Sequence, residues 1–512
     1  MSNFSYRIAE TELLEFHFPI DPFQDSPLHA LIRQHSRDPP STDNDPCFSP
    51  AELEAAVRNI RSKKAPGPDG LYGDIVKEAY HANKTYLLYL YNACLAQGYF
   101  PSRWKRADLI MFNKSNKKDT DPEAFRPICL LDALGKILDR LVTQRLFHFL
   151  LKNDKISSRQ YGFTPGRNAP EAILKLKDWV FTARTQKEHS VIISLDVKSA
   201  FSRVWWPLVL HNLKKMGCPS NLFKIVASFL DDRSISFKYG DTESSKHYSI
   251  GCPQGSNSGP LYWFLVINDA LETDLGVDVQ ILAYADDIYV FVAATGKQTI
   301  KLKAEATLQK LQDWSITAKV EFAHEKTQLI PFGKKGRHKH PPYCSFNGRP
   351  NKLARNLRVL GVVLDECLNG MAHLHHIGRK VITILNRLTI ARSRKGLSGR
   401  VIKVLYKRAL ERILVYAAPA WWTGTAKQIT KINSVQRQVL LAVTGAFRTT
   451  STLVLQVLSG IEPADLVCEM ETALYRIKHN LPNPSFLGTS LESVMVERYQ
   501  PFWIHQSTIE PV

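Results

Sequence analysis

Two adjacent acids, Asp286 and Asp287, sit inside the stretch AYADDIYVFV at residues 283–292. Ile281 and Leu282 precede them and Ile288 to Val292 follow, a β-prone apolar run that predicts buried strands. Single aspartates are ordinary in turns, where they bond their own backbone. A pair in a partly desolvated place is different, because neighbouring carboxylates repel and one stays protonated unless a cation neutralises them. A divalent metal is the simplest such cation, since Mg²⁺ takes oxygen ligands and keeps waters and substrate phosphates as the rest of its shell. A third acid, Asp196, ends the apolar run SVIISLD at 190–196. Asp196 lies far from the pair along the chain, so only tertiary structure could join them. If two strands of one sheet do so, the three acids can hold two metal ions. That arrangement activates an attacking oxygen and stabilises a leaving one at phosphorus.

The bulk composition favours a polyanionic partner for such chemistry. The chain has 512 residues, 44% apolar and 22% charged, which describes a globular protein of more than one lobe. Lys and Arg number 67 against 48 Asp and Glu, giving net +19 and a pI near 9.4. Such a surplus points to nucleic acid or an anionic membrane. The membrane reading is weak, because no stretch approaches the roughly 20 apolar residues that a spanning helix needs. The best candidate, ILVYAAPAWW at 413–422, is short and contains Pro419. The N-terminus, MSNFSYRIAETELLEF, carries early acids and no apolar signal core. Eight scattered cysteines without a C-x-x-C pair read as reduced thiols. Both features fit an intracellular protein of nucleus or cytoplasm rather than a secreted one. His373, His375 and His376 lack partner ligands at finger spacing, which argues against zinc.

Several elements must position the acids. Residues 1–48 read as a polar, proline-punctuated segment, with DPPSTDNDP as loop. A helix should start at Ser49, where Pro50 suits the first position and Glu52 completes a capping box. It ends in the basic run Arg61, Lys63, Lys64 and is broken by APGPDG. Residues 124–150 repeat apolar residues at three- and four-residue steps, as on an amphipathic helix. QILAYADDIYVFV reads as strand, tight turn, strand, and LRVLGVVLD at 357–365 as a further β run. GCPQGSNSGP at 251–260 is too rich in Gly, Pro and Ser for a regular element. Ile402, Leu405, Ala409, Ile413 and Tyr416 fit one helix face. Between Arg379 and Arg412 eleven Lys and Arg face a single acid, Glu411.

At this point the sequence resembles a family. YADD at 284–287 looks like the catalytic hairpin of reverse transcriptases, SLDVKSAF like the strand carrying their first aspartate, and GCPQGSNSGP like their nucleotide- and template-holding loop. APGPDGL, FRPICLLDALGKILDRLV and QYGFTPGRN resemble the earlier blocks of non-LTR retrotransposon enzymes, and EKTQLIPF and LRVLGVVLD the later ones. In order and spacing these are similar to jockey-like, arthropod-type non-LTR elements. The resemblance runs from about residue 50 to 460.

The resemblance implies an α/β (α+β) right-hand polymerase with fingers, an antiparallel palm sheet flanked by helices, and a helical thumb. Its expected limits are fingers at 49–190, palm at 191–366, thumb at 367–460 and an extension at 461–512, with the reverse transcriptase domain at about 94–365. It implies an enzyme that copies an RNA template from a DNA primer with dNTPs and two Mg²⁺ ions, Mn²⁺ being a substitute. Asp196, Asp286 and Asp287 match the metal-binding acids, with the Val197 carbonyl as a further ligand. Phe201 matches the gate that would clash with a 2′-hydroxyl, although a core ring is also a reading. Gln254 and Gly255 match the loop that contacts the nucleotide, and Arg126 and Lys114 the grip on the triphosphate, although Lys114 also reads as a solvated surface lysine. Lys326 matches a lysine that protonates the leaving pyrophosphate, or else forms a surface salt bridge. Tyr284 either touches primer or supports its strand. Thumb residues Arg392, Arg394, Lys395, Lys403 and Lys407 would follow the duplex backbone. KKGRHKH at 334–340 reads as a solvated loop or a nuclear import signal.

Two departures stand out. Ser202 follows the gate where the family commonly has Asp. The flanks leave no room for an endonuclease, so the nicking that supplies a primer is expected from elsewhere and a truncated element copy is expected here. Rival readings are an RNA-dependent RNA polymerase, and a catalytically silent remnant that only binds nucleic acid.

Overall fold

The computed structural model describes residues 10–114, 120–239, 242–334, 340–395 and 397–491, with backbone alone at 239, 242 and 389–395. Two helices, α1 (Glu10–His17) and α2 (Pro27–Arg37), occupy the segment that reads as polar and proline-punctuated. Leu13, Leu14, Phe18 and Ile32 enter the core from it. Pro27 does not break α2 but opens it, because its missing N–H falls where a helix has no partner anyway, and Ser26 caps the turn. A charged knot ties this segment down. Arg33 meets Asp21 at 2.6 Å, Lys319 meets Asp25 at 2.6 Å, and Asp21 accepts the buried Trp205 indole N–H at 2.8 Å.

The next helix, α3 (Pro50–Arg58), begins at Ser49 with the expected capping box. Helices α4 (Gly73–Ala82) and α5 (Lys84–Gln97) lead to strands β1 (Arg106–Asn113) and β2 (Phe125–Leu130) and then helix α6 (Ala133–Lys152). The stretch 124–150 is therefore not one helix. Its first part pairs antiparallel with β1 and alternates buried and exposed, the period of a strand. Pro127 is tolerated because β2 is an edge strand, where no ladder bond is lost. Glu52 of α3 and Arg145 of α6 form a forked pair, with Arg145 Nη2 donating to Oε2 at 2.8 Å.

Helix α7 (Ala169–Thr185) precedes β3 (His189–Asp196), and α8 (Trp206–Lys215) and α9 (Ser220–Leu230) follow. Strands β4 (Arg233–Tyr239) and β5 (Thr242–Tyr248) complete a sheet in the order β2, β1, β4, β5. Helix α10 (Gly259–Leu271) then enters the core, followed by β6 (Val279–Tyr284), β7 (Asp287–Ala294), α11 (Lys297–Thr317) and β8 (Gln328–Phe332). The central sheet runs Lys352–Leu353, β8, β3, β7, β6, and all its pairings are antiparallel except the first.

This sheet divides two cores. Val191, Ile193 and Leu195 face one with α10 and α11, and Ile192 faces the other with α7 and later helices. Burial on both faces is why β3 reads as a continuous apolar run. Helix α10 is apolar all round because it is buried all round, and at 13 residues it is a core helix. No helix of the described residues is long and apolar enough to cross a membrane.

Beyond β8 the 357–365 run resolves into a hairpin, Asn356–Val359 against Val362–Asp365, turned at Leu360 and Gly361 with positive φ. Helix α12 (Met371–Lys395) follows, then a helix at Gly399–Leu405, a π turn at Tyr406–Leu410 and a helix at Glu411–Val415. The π turn corrects the face expected there. Ile402, Tyr406, Leu410 and Leu414 are buried, while Leu405 and Tyr416 are exposed and Ala409 faces out. A π turn carries an extra residue per turn, so the apolar stripe advances in steps of four rather than alternating three and four.

Two core histidines give the fold a pH dependence. His17 donates through Nε2–H to the Pro122 carbonyl at 3.1 Å, and burial lowers its pKa to about 4. His373 is fully buried, accepts the Val363 N–H at 3.3 Å and packs edge-on to Trp421, and burial, with His376 and Arg358 nearby, lowers it to about 4. The unfolded chain protonates such rings near pH 6.5, so acid favours unfolding across the window from 6.5 to 4. Chemical denaturation should show stability falling there by up to about 3 kcal/mol per ring. A His17→Gln/His373→Gln double variant should flatten that part of the profile.

Candidate active site

The two strand ends that carry the acids are paired. Asp196, the last residue of β3, stands opposite Asp287, the first residue of β7. Between β6 and β7 only Ala285 and Asp286 form the turn, and Ala285 takes φ +59°. That left-handed backbone costs an ordinary residue roughly 1–2 kcal/mol and persists only where the surroundings hold it. Here Trp263 of α10 donates its indole N–H to the Ala285 carbonyl at 2.9 Å. Tyr161 N–H bonds the Ala283 carbonyl at 2.8 Å, and Ala283 N–H bonds the Arg159 carbonyl at 3.0 Å. Gly162 lies so close that a Cβ there would sit 2.1 Å from the Ala285 nitrogen. The block QYGFTPGRN is thus the buttress of the acid turn.

Asp196 and Asp286 share the wall of a cleft of about 560 Å³ with Val197, Phe201, Gln254, Gly255 and Lys326. Asp287 does not line it and instead bonds the Tyr289 hydroxyl. Burial raises the Asp286 pKa, with Asp196 adding to the rise and Lys326 opposing it. Burial, then Asp286, then Asp196 push Asp287 up to about 6. Lys326 Nζ lies 2.9 Å from Asp196 Oδ2, and this bond raises the lysine pKa. One lysine facing three half-buried acids leaves the cluster short of positive charge. Among the described residues, no three His, Cys, Asp or Glu side chains already converge at metal-ligand spacing. The donors on offer are all oxygens, which suits a hard cation that takes much of its shell from water and phosphate.

The loop at 251–258 forms the next wall. Gly255 has φ +140°, and a Cβ there would lie 2.5 Å from the Cys129 carbonyl oxygen, so only glycine fits. Phe201 is half-buried against the core, lines the cleft and meets Phe163 edge-on at 6.2 Å. Lys114 and Arg126 line the cleft too, and Lys114 Nζ donates to the Glu123 carbonyl at 2.9 Å. Sequence reasoning missed Phe16 and His17 of α1, which also line it. No local signal marks them, because they arrive by packing across about a hundred residues, as in the His17–Pro122 bond.

The remaining candidates are dispersed. Tyr284 pairs with Asp287 across the hairpin and packs against the second core, away from the cleft. Lys403 is half-buried, and Lys407 is held by Glu411 at 2.9 Å and Glu462 at 2.8 Å, so its charge is already matched within the fold. The side chains of Arg392, Arg394 and Lys395 lie outside the described residues, as does most of the KKGRHKH stretch. His373 is interior and His375 exposed, so the histidine trio does not converge.

Comparison with known proteins now defines the class. Residues 115–364 match the family described as "Reverse transcriptase (RNA-dependent DNA polymerase)", so a reverse transcriptase domain with a right-hand polymerase fold occupies this region. The chain is 28% identical over 478 residues to the 115 kDa protein in type-1 retrotransposable element R1DM of Drosophila melanogaster, covering 90% of this chain and 46% of that one. It is 30% identical over 423 residues to the retrovirus-related Pol polyprotein from type-1 retrotransposable element R1 of Bradysia coprophila, covering 81% and 41%. It is 30% identical over 403 residues to the RNA-directed DNA polymerase from mobile element jockey of Drosophila melanogaster, covering 77% and 44%. Residues 115–364 thus belong to the reverse transcriptase family, and the chain as a whole is similar to proteins of non-LTR retrotransposons, spanning less than half the length of these relatives.

The buttress gives a direct test. Gly162→Ala places a methyl group against the Ala285 backbone, which has little room to move because Trp263 holds its carbonyl and Tyr161 fixes Ala283 two residues before. Thermal or chemical denaturation should show a loss of about 2 kcal/mol or more. Gly166→Ala has open space around its Cβ but φ +77°, and should show the smaller loss of backbone strain alone.

Proposed function

We propose that this chain is an RNA-directed DNA polymerase that extends a DNA 3′-hydroxyl on an RNA template with dNTPs. The observation that carries the reading is the meeting of Asp196 and Asp286 on one wall of a cleft that also holds Gln254, Gly255 and three cations, Lys114, Arg126 and Lys326. Asp196, Asp286, Asp287 and the Val197 carbonyl would hold two Mg²⁺ ions, with Mn²⁺ as a substitute. Ions bound there lower the pKa of the primer hydroxyl and neutralise the triphosphate. The protein's own groups do the rest. Arg126 offers a fork and Lys114 a point charge to the phosphates. Lys326, hydrogen-bonded to Asp196, would give a proton to the leaving pyrophosphate. Phe201 blocks the space a 2′-hydroxyl would need. Gln254 and Gly255 line the cleft and would contact the incoming nucleotide.

In this reading the fingers span 49–190, the palm 191–366 and the thumb 367–460, with 461–512 as an extension. The basic thumb segment, whose sequence includes Arg392, Arg394, Lys395 and Lys403, would follow the template–primer backbone, and the net charge of +19 supports such a partner. Lys407 contributes less because two glutamates hold it. Nucleus and cytoplasm are the proposed compartments.

Primer extension on an RNA template tests the proposal. Wild-type protein with Mg²⁺ should incorporate dNTPs and stop when EDTA is added. Asp286→Ala should lower the rate by at least about a thousandfold, roughly 4 kcal/mol of transition-state stabilisation. Activity surviving that substitution removes Asp286 from the metal site. Phe201→Ala should raise ribonucleotide relative to deoxynucleotide use by about tenfold. A preference for rNTPs in the wild type would instead make it an RNA polymerase. Salt-sensitive RNA binding without incorporation would make it a silent binder.

A further inference from the structure

The loop that borders the nucleotide cleft is held from outside it. Residues 251–258 run into α10, whose Ser258 makes no capping hydrogen bond of its own. A helix start leaves N–H groups without partners, and burying them unpaired is unfavourable. Ser256 Oγ accepts the Gly259 N–H at 3.1 Å, and the two N–H groups before it find their partner on another helix. Asp139 of α6 accepts the Asn257 N–H on Oδ2 at 2.6 Å and the Ser258 N–H on the same oxygen at 3.4 Å. Asp139 is 4% exposed.

The same helix adds two further ties. Arg140 Nη2 donates to Asn257 Oδ1 at 3.2 Å, and Asn257 Nδ2 donates to the Lys136 carbonyl at 3.1 Å. From the opposite side the Cys129 N–H of β2 donates to the Gln254 carbonyl at 2.8 Å. The loop is therefore clamped between β2 and α6. Gly255 borders both the 560 Å³ cleft and a second, basic cleft of about 210 Å³ that Lys136 and Arg140 line. The clamped loop is the partition between the two.

A carboxylate is an unfavourable choice for a core position unless its hydrogen bonds matter, since leucine would fill the space without desolvating a charge. We propose that Asp139 is a positioning residue. By capping α10 from α6 it fixes Gln254 and Gly255 against the cleft and so sets the affinity for the incoming nucleotide rather than the rate of chemistry. The inference rests on the polymerase reading above and deepens it.

Asp139→Asn tests it, because the amide keeps the shape, weakens the acceptor and adds a buried N–H with no partner. Steady-state primer extension, with active-site titration to count competent enzyme, should show the KM for dNTP rising about five- to tenfold. The kcat of the competent fraction should stay within about twofold. Amide exchange at residues 252–260 should quicken. Asn257→Ala, which cuts the side-chain ties while leaving the buried acid alone, should shift KM in the same direction. It provides the reading if Asp139→Asn does not fold. A merely structural role would lower the competent fraction and leave KM unchanged, and that result in either variant overturns the proposal. A wild type that incorporates no dNTP overturns the polymerase reading instead, and the exchange rates then decide the clamp alone: unchanged exchange in the variants refutes it.

Discussion

The register between β3 and β7 governs everything at the cleft. Eight paired residues run from His189 opposite Ala294 to Asp196 opposite Asp287. A slip of one residue would turn every side chain of β3 to the other face. Asp196 would leave the cleft, and Val191, Ile193 and Leu195 would exchange cores with Ile192. Because both faces are buried, a slipped register would mispack two hydrophobic cores at once. Such a penalty is far larger than the repulsion among three carboxylates. The sheet can therefore afford to hold like charges together at its end.

The supports around the acid turn follow the same logic. Trp263, Gly162 and the backbone at 159–161 reach Ala285 and Ala283 from different directions. No single contact defines the turn, and its left-handed alanine is kept by their agreement. The desolvation that raises Asp286 and Asp287 comes from this close packing. Rigidity and a need for positive charge thus have one origin.

What the sequence disclosed was whatever depends on neighbours along the chain. The acid hairpin, the strand ending at Asp196, the capping box at Ser49 and most of the irregular stretch at 251–260, whose Gly259 and Pro260 instead open α10, follow from local spacing and turn chemistry. The family-like blocks then grouped them into one cleft. The apolar rhythm misled where it crossed a boundary. It carried the α6 helix back over an edge strand, and it missed the π turn that shifts the stripe at 406–410. Contacts of long sequence separation left no mark at all. Phe16 beside the cleft, Asp139 beneath Asn257 and the Tyr289 hydroxyl on Asp287 are side-chain meetings that no spacing encodes.

The docked N-terminal segment sets where this protein can be cut. The matched reverse transcriptase domain begins at residue 115, yet α2 lies on α8, α3 on α6 and α5 on α9. A fragment trimmed to 115–364 would bare the apolar faces that these helices cover, among them those carrying Leu146, Leu208 and Phe223. The cooperative unit is larger than the matched domain, and an expression boundary drawn at that domain's start would yield a sticky, half-clothed fragment.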